Sequence, residues 1–225
     1  MSHLFDFSYS NPTQIVFGTH AFTKLGNLIP PDAKVLLLYG GGSIKRNGVY
    51  EQVTQALAGR QVVEFAGVEP NPTLETLERA VALVREQEVD FILGVGGGSV
   101  SDGAKYIACA ALYDGDGWDI VSSKHFPKQA LPVGIVLTLP ATGSESNVGA
   151  VVTRQATHQK KVFYVPPARP RFAILNPDVM TSLPDRQLEN GIVDAFVHVC
   201  EQYLTYPVGA LVQDGYAEAV MKALK

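Results

Sequence analysis

Apolar residues come in two rhythms along this chain, and the rhythms alternate. "KVLLLY" (34–39) and "VDFILGV" (89–95) are short runs almost free of polar residues, the pattern of strands buried on both faces. Between them the apolar positions recur at helical spacing. Val49, Val53 and Leu57 mark one predicted helix, and Leu74, Leu77, Val81 and Val84 form the stripe of a second, "TLETLERAVALVREQ", capped by Thr73. "QVVEFAGV" (61–68) adds a strand, "EPNP" a loop, and a third helix runs through Ala111. Strand alternating with helix predicts an α/β fold, with a parallel sheet and right-handed crossovers. Ligands of such a sheet sit beyond the carboxyl ends of its strands.

The two ends of the chain have other textures. "FDFSYS" and "TQIVFG" alternate around Asn11-Pro12 and predict an antiparallel pair, followed by a short helix in "THAFTKLGNLI" capped by Thr19. From Leu131, "LPVGIVLTLPATGSESN" is a strand entering a loop of small residues. "GAVVTR", "KKVFYV" and "RFAILNP" are further strands, the last returning to the main sheet. After "DVMTSLP" the pattern turns helical, in "DRQLENGIVDAFVHVCEQYLT" and then "VGALVQDGYAEAVMKALK". The expected division is an α/β domain over 1–182 and a helical segment over 183–225.

Composition narrows the class of partner. With 46% hydrophobic and 18% charged residues in 225, the chain is globular. A formal charge of −4 leaves no broad basic field for nucleic acid, so an anion must be held by local geometry. Cys109 and Cys200 both lie in apolar, helix-like stretches and read as small buried hydrophobes, which suits a reducing, cytoplasmic setting. "MSHLFDFSYS" lacks a basic flank and a long apolar stretch, and no run is long enough to span a bilayer, so no membrane partner is expected.

Candidate chemistry gathers at strand ends. In "ILGVGGGSVSDGAKYIA" the strand gives way to glycines, to Ser99 and Ser101, and then to a helix N-terminus. The ordinary dinucleotide fingerprint fails there, since its third glycine falls on Ser99. Free backbone amides at a helix start still make an anion cradle, against the plainer reading of a tight crossover turn. Asp102 would repel phosphate unless it faces a ribose or caps the helix. "YGGGSIKR" (39–46) is a second glycine turn. An NAD-selective chain is expected to place an acid near such a strand end, and here Ser43, Lys45 and Arg46 follow instead, favouring a 2′-phosphate over a merely solvated basic turn. Asp194 and His198 stand four apart on one helix face, at a spacing that suits a divalent metal or a simple surface pair. Two ligands fall short of the three a catalytic site takes from protein.

In combination, "PTQIVFG", "LLLYGGGSIKRNGVY", "GVEPNPTLETL", "ILGVGGGSVSDGAKYIA", "LTLPATGSESN" and "NGIVDAFVHVCEQY" resemble the metal-dependent, iron-containing alcohol dehydrogenase family. That family shares its architecture with glycerol dehydrogenase and dehydroquinate synthase, and the likeness is nearest to its NADPH-dependent butanol dehydrogenase and aldehyde reductase branch. The resemblance implies a Rossmann-like parallel sheet with flanking helices, followed by the start of an all-α domain. It implies that Gly41, Gly42 and Ser43 surround the 2′-phosphate of NADP(H), with Asn71 by the adenine. Gly97, Gly98 and Ser99 would bind the pyrophosphate, and Asp102 would stand near the nicotinamide ribose. Thr138, Thr142 and Asn147 would line the cofactor, Lys160 would reach its nicotinamide end, and Asp194 and His198 would be the first two ligands of iron, zinc or manganese. The implied reaction is hydride transfer between NADPH and an aldehyde or primary alcohol, in a homodimer, with no side chain serving as nucleophile. Family members continue into a longer helical domain carrying two more histidine ligands, whereas this chain stops at Lys225. The expectation is therefore a shortened chain, or a site completed by another polypeptide, with apolar helix surface left exposed. The alternative to an enzyme is a cofactor-binding fragment or assembly partner without turnover.

Overall fold

The computed structural model of this chain describes Asp6, residues 8–205 and residues 209–225. In chain order the elements are β1 (Gln14–Phe17), α1 (Leu25–Leu28), β2 (Lys34–Tyr39), α2 (Val49–Ala56), β3 (Gln61–Phe65), α3 (Leu74–Glu86), β4 (Phe91–Gly96), α4 (Gly98–Ala110), α5 (Gly117–Val121), β5 (Val133–Leu137), β6 (Gly149–Arg154), β7 (Gln159–Tyr164), β8 (Phe172–Leu175), α6 (Asp185–Thr205) and α7 (Leu211–Leu224). Among the described residues, six parallel strands form one sheet in the order β1-β8-β5-β4-β2-β3, and β6 and β7 form a separate antiparallel hairpin.

The uninterrupted apolar strands are explained by two cores, one on each face. Leu36, Leu38, Ile92 and Ile135 meet Leu77, Val81 and Val84 of α3 and the apolar side of α4. Their neighbours Val35, Leu37, Leu93 and Val136 turn the other way, onto Leu25, Val49, Val53 and Leu57. Alternate residues of a strand point to opposite faces, so a strand covered on both sides has no polar position to spare. Burial goes further in α4, where ten of thirteen residues are buried because the β6–β7 hairpin lies across its outer side. Phe163 of that hairpin meets the Tyr106 ring edge-on at 6.3 Å. Gly134 of β5 leaves room for the Phe172 ring, which stacks on Phe91 at 6.1 Å. A Cβ at residue 134 would come within 2.7 Å of Phe172 Cε1. Gly134→Ala should lower unfolding free energy by about 1–3 kcal/mol through overpacking. A urea midpoint equal to wild type would contradict that packing.

Three readings of the pattern need correction. Ala21–Lys24 is a 3-10 turn leading into a single turn of α1, and the residue before it, His20, makes no side-chain cap bond, so Thr19 caps nothing. Thr19 instead offers its carbonyl to Asn176 Nδ2 at 3.2 Å. The antiparallel partner expected for β1 falls partly on Phe5 and Phe7, outside the described residues. The described Ser8–Ser10 carry no strand, and β1 pairs parallel with β8. Asp102 does not cap α4, whose N-cap position is Gly97.

Beyond β8 the chain is helical. The only described residue of α6 classed as buried is Gly191, where a Cβ would stand 3.0 Å from the Pro140 carbonyl oxygen, so helix backbone meets loop backbone. No described residue of α7 is buried, and Val193, Val197, Leu211 and Val212 are all exposed. Cys109 is buried as expected, and burial pushes its thiol up to about 12. Cys200 is half-buried, with Sγ 3.5 Å from Met221 Sδ. Among the described residues no helix is long and apolar enough to cross a membrane.

Candidate functional site

Strand β4 ends at Gly96, and α4 begins two residues later with its first amides free of any intrahelical acceptor. Side chains there would be in the way. A Cβ at Gly97 would stand 3.2 Å from Leu139 Cβ, and one at Gly98 would stand 2.8 Å from Thr142 Oγ1. The glycines therefore let the loop after β5 close down beside the helix N-terminus. Thr138 extends the ladder by donating its N–H to the Gly96 carbonyl at 3.0 Å.

The space in front of that N-terminus is a cleft of about 450 Å³. It brings together Asn71, Gly98, Ser99, Asp102, Thr142, Lys160 and Asp194, seven of the residues singled out in the sequence. Three chain segments meet through two bonds: Asn71 N–H donates to Ser99 Oγ at 3.3 Å, and Lys160 Nζ donates to Asn71 Oδ1 at 2.7 Å. Asn71 takes a left-handed conformation, φ +57°, to turn the chain there. Lys160 is thus held to Asn71, while Lys161 and Arg154 stand 5.8 Å and 5.6 Å from the Trp118 ring.

Gly41, Gly42, Ser43, Gly97, Thr138, Asn147 and His198 do not line this cleft. The first three form the turn after β2, where nothing lies within 4 Å of a Cβ placed on Gly41 or Gly42. Lys45 beside them is engaged. Its ammonium is 3.8 Å from Glu64 and 4.6 Å over the Tyr50 ring, while the hydroxyls of Tyr39 and Tyr50 donate to the same carboxylate at 2.8 and 2.5 Å. The Tyr50 hydroxyl holds Glu64 below its ordinary range. An acid thus does stand near the end of β2, supplied by β3.

Asp102 faces the loop. Its carboxylate accepts from Ser144 Oγ at 2.5 Å and from Val151 N–H at 3.0 Å. Burial raises its pKa, with the Ser144 bond and the Lys105 charge opposing. Lys105, absent from the sequence-based candidates, is fully buried and donates to Asn147 Oδ1 at 2.9 Å and to the Gly149 carbonyl. Burial lowers its pKa to about 8. Gln187 and Asn190 also line the cleft and were missed, although their spacing from Asp194 puts all three on one face of α6.

The residues present fit a dinucleotide better than a metal. A glycine cradle at a helix N-terminus, with hydroxyls and one lysine around it, accepts a pyrophosphate without a broad basic field. For the metal, Asp194 Oδ2 and His198 Nε2 stand 3.7 Å apart on an exposed helix face. Among the described residues no group of three or more His, Cys, Asp or Glu could hold an ion.

Known proteins supply the remaining findings. A family model described as iron-containing alcohol dehydrogenase matches residues 12–177. The chain is 53% identical over 223 residues to the NADPH-dependent aldehyde reductase YqhD of Escherichia coli strain K12, covering 97% of this chain and 57% of that protein. It is 47% identical over 222 residues to the probable NADH-dependent butanol dehydrogenase 1 of Bacillus subtilis strain 168, with the same shares. Among solved structures, E. coli K-12 YqhD superposes with a TM-score of 0.95 at 52% identity, over 97% of this chain and 57% of that one. NADH-dependent butanol dehydrogenase A from Thermotoga maritima superposes at 0.90 with 42% identity and the same coverage. The chain therefore spans 57% of the length of these relatives.

Proposed function

This chain belongs to the iron-containing alcohol dehydrogenase family, and from that premise we propose that its cleft is an NADP(H) site for hydride transfer between cofactor and an aldehyde or primary alcohol. The observation that carries the reading is the convergence of Asn71, Gly98, Ser99, Asp102, Thr142 and Lys160 on one cleft at the N-terminus of α4. In it, the α4 amides and Ser99 hold the pyrophosphate, with Gly97 and Gly98 giving the close approach. Asp102 orients the loop that carries Thr142 and faces the nicotinamide ribose, and Lys160 reaches the nicotinamide end. Thr138 and Asn147 line the cofactor beside Thr142, while Gly41, Gly42 and Ser43 receive the 2′-phosphate beside Asn71 and the adenine. NADPH supplies the hydride when bound, so no side chain of this chain acts as nucleophile.

Residues 1–182 are the cofactor-binding domain in this reading. Residues 183–225 begin a helical domain of the kind shared with dehydroquinate synthase, and it presents Asp194 and His198 as two ligands for iron, zinc or manganese. Two donors do not make a catalytic site, so no step is assigned to a metal here. Taken by itself, this chain is accordingly an NADP-binding unit whose turnover needs further ligands, and a homodimer is the expected assembly.

The test titrates the 225-residue chain with NADPH and then follows NADPH oxidation with butyraldehyde, first with added divalent metal and then with chelator. Binding without turnover is the expected result. Chelator-sensitive turnover would mean that the site is completed by groups beyond Asp194 and His198. Failure to bind NADPH would overturn the cofactor reading itself.

A further inference from the structure

A fully buried lysine at the centre of the fold calls for a reason. Lys105 lies three residues beyond Asp102 on α4, so both side chains leave the helix towards the loop between β5 and β6. They tie that loop and the start of β6 to the helix at four points: Asp102 takes Ser144 and Val151, and Lys105 takes Asn147 and Gly149. The Lys105 contact has a chemical consequence at Asn147. The ammonium only donates, and the second partner of the same side-chain atom is the Gly149 N–H at 3.0 Å, which also only donates. Two donors converge on one amide atom, so that atom is the oxygen and the Asn147 carboxamide has a single orientation. Its Nδ2 is left on the side of Gly143, next to the cleft residue Thr142, and donates to none of the described residues.

We infer that Lys105 is a positioning residue: it locks the Asn147 carboxamide with its NH₂ group outward, making Asn147 a donor to an acceptor oxygen of the cofactor. The inference rests on the NADP(H) reading of the cleft. It adds a buried charge, outside the cleft, that decides what the loop offers to the ligand. Without Lys105 only the Gly149 N–H would still hold the Asn147 oxygen, and an amide freed to turn over would present that oxygen to the ligand's phosphate and carbonyl oxygens, which would reject it.

A double-mutant cycle on NADPH affinity, with Lys105→Met and Asn147→Ala, tests it. Lys105→Met should weaken NADPH about tenfold when Asn147 is present and less than about twofold in the Asn147→Ala background. Equal losses in both backgrounds would make Lys105 merely structural and overturn the inference, as would no loss in either. Asn147→Asp supplies a check that leaves Lys105 in place. It keeps an oxygen for the ammonium but has no N–H, so it should melt at or above wild type while binding NADPH as weakly as Asn147→Ala. Wild-type affinity in Asn147→Asp would likewise overturn the donor role. If wild type itself does not bind NADPH, the cofactor reading fails; if it binds and only the variants are silent, this inference fails alone.

Discussion

Gly98→Ala is expected to weaken NADPH binding by about fivefold to 150-fold while the chain remains folded. A Cβ at residue 98 would stand 2.8 Å from Thr142 Oγ1 and 3.1 Å from Thr142 Cγ2. Relief requires Thr142 to turn or its loop to back away from α4, and either movement opens the cradle proposed for the pyrophosphate. Overpacking of this kind costs about 1–3 kcal/mol, which is about fivefold to 150-fold in a dissociation constant. Stability should change little, because the residue opens a helix, where alanine is favoured over glycine, and the site is only half-buried. Fluorescence titration with NADPH, beside a thermal melt, separates the two effects. Wild-type affinity in a folded Gly98→Ala protein would remove the cradle from the binding site.

What the sequence could and could not announce follows from how local each cause is. Strands β2 and β4 were legible because a strand facing two cores is apolar at every position and glycine ends it. Helix α3 was legible with its cap, since Thr73 is extended and its side chain accepts from the Thr76 N–H within the same four residues. Thr19 has the same chemistry, but Gly18 at φ +127° and the tight turn from Ala21 place His20 at the helix entrance instead. Glu64 escaped notice because its meaning is non-local: only the parallel register of Leu37 with Glu64 brings a β3 carboxylate beside the turn after β2. Lys105 was read past for a similar reason. A lone lysine in a helix is normally solvated, and its burial here comes from a hairpin more than forty residues further on. A hint was nonetheless present, since Gly103, Ala104 and Tyr106–Ala110 leave no polar face for that lysine to join.

Stability should rise with pH above neutrality because of Lys105, by about 1 kcal/mol at pH 9 and about 3 kcal/mol at pH 10.5 from this group alone. Burial lowers the folded-state pKa of this base from 10.5 to about 8. Between those values the unfolded chain binds more protons than the folded one, and stability climbs with pH wherever that holds. Cys109 acts in the opposite sense. Its folded thiol is pushed from 9.0 up to about 12, so from pH 9 the unfolded chain loses a proton that the folded chain keeps. That offsets well under about 1 kcal/mol at pH 9 and about 2 kcal/mol at pH 10.5. The Tyr106 hydroxyl, also raised by burial and by its bond to Glu78, adds to the loss above pH 10. Wild type should therefore gain stability mainly between pH 8 and pH 9 and then level off, whereas Lys105→Met should show only the decline. Urea unfolding of both proteins across this range isolates the lysine, because Cys109 and Tyr106, which drive the opposing loss, are present in both. Parallel curves would mean that the lysine keeps its proton in the folded chain and that burial does not govern its charge. A difference opening between pH 8 and pH 10.5 would confirm that the clamp on Asn147 is held by an ammonium at neutral pH and by a neutral amine above it.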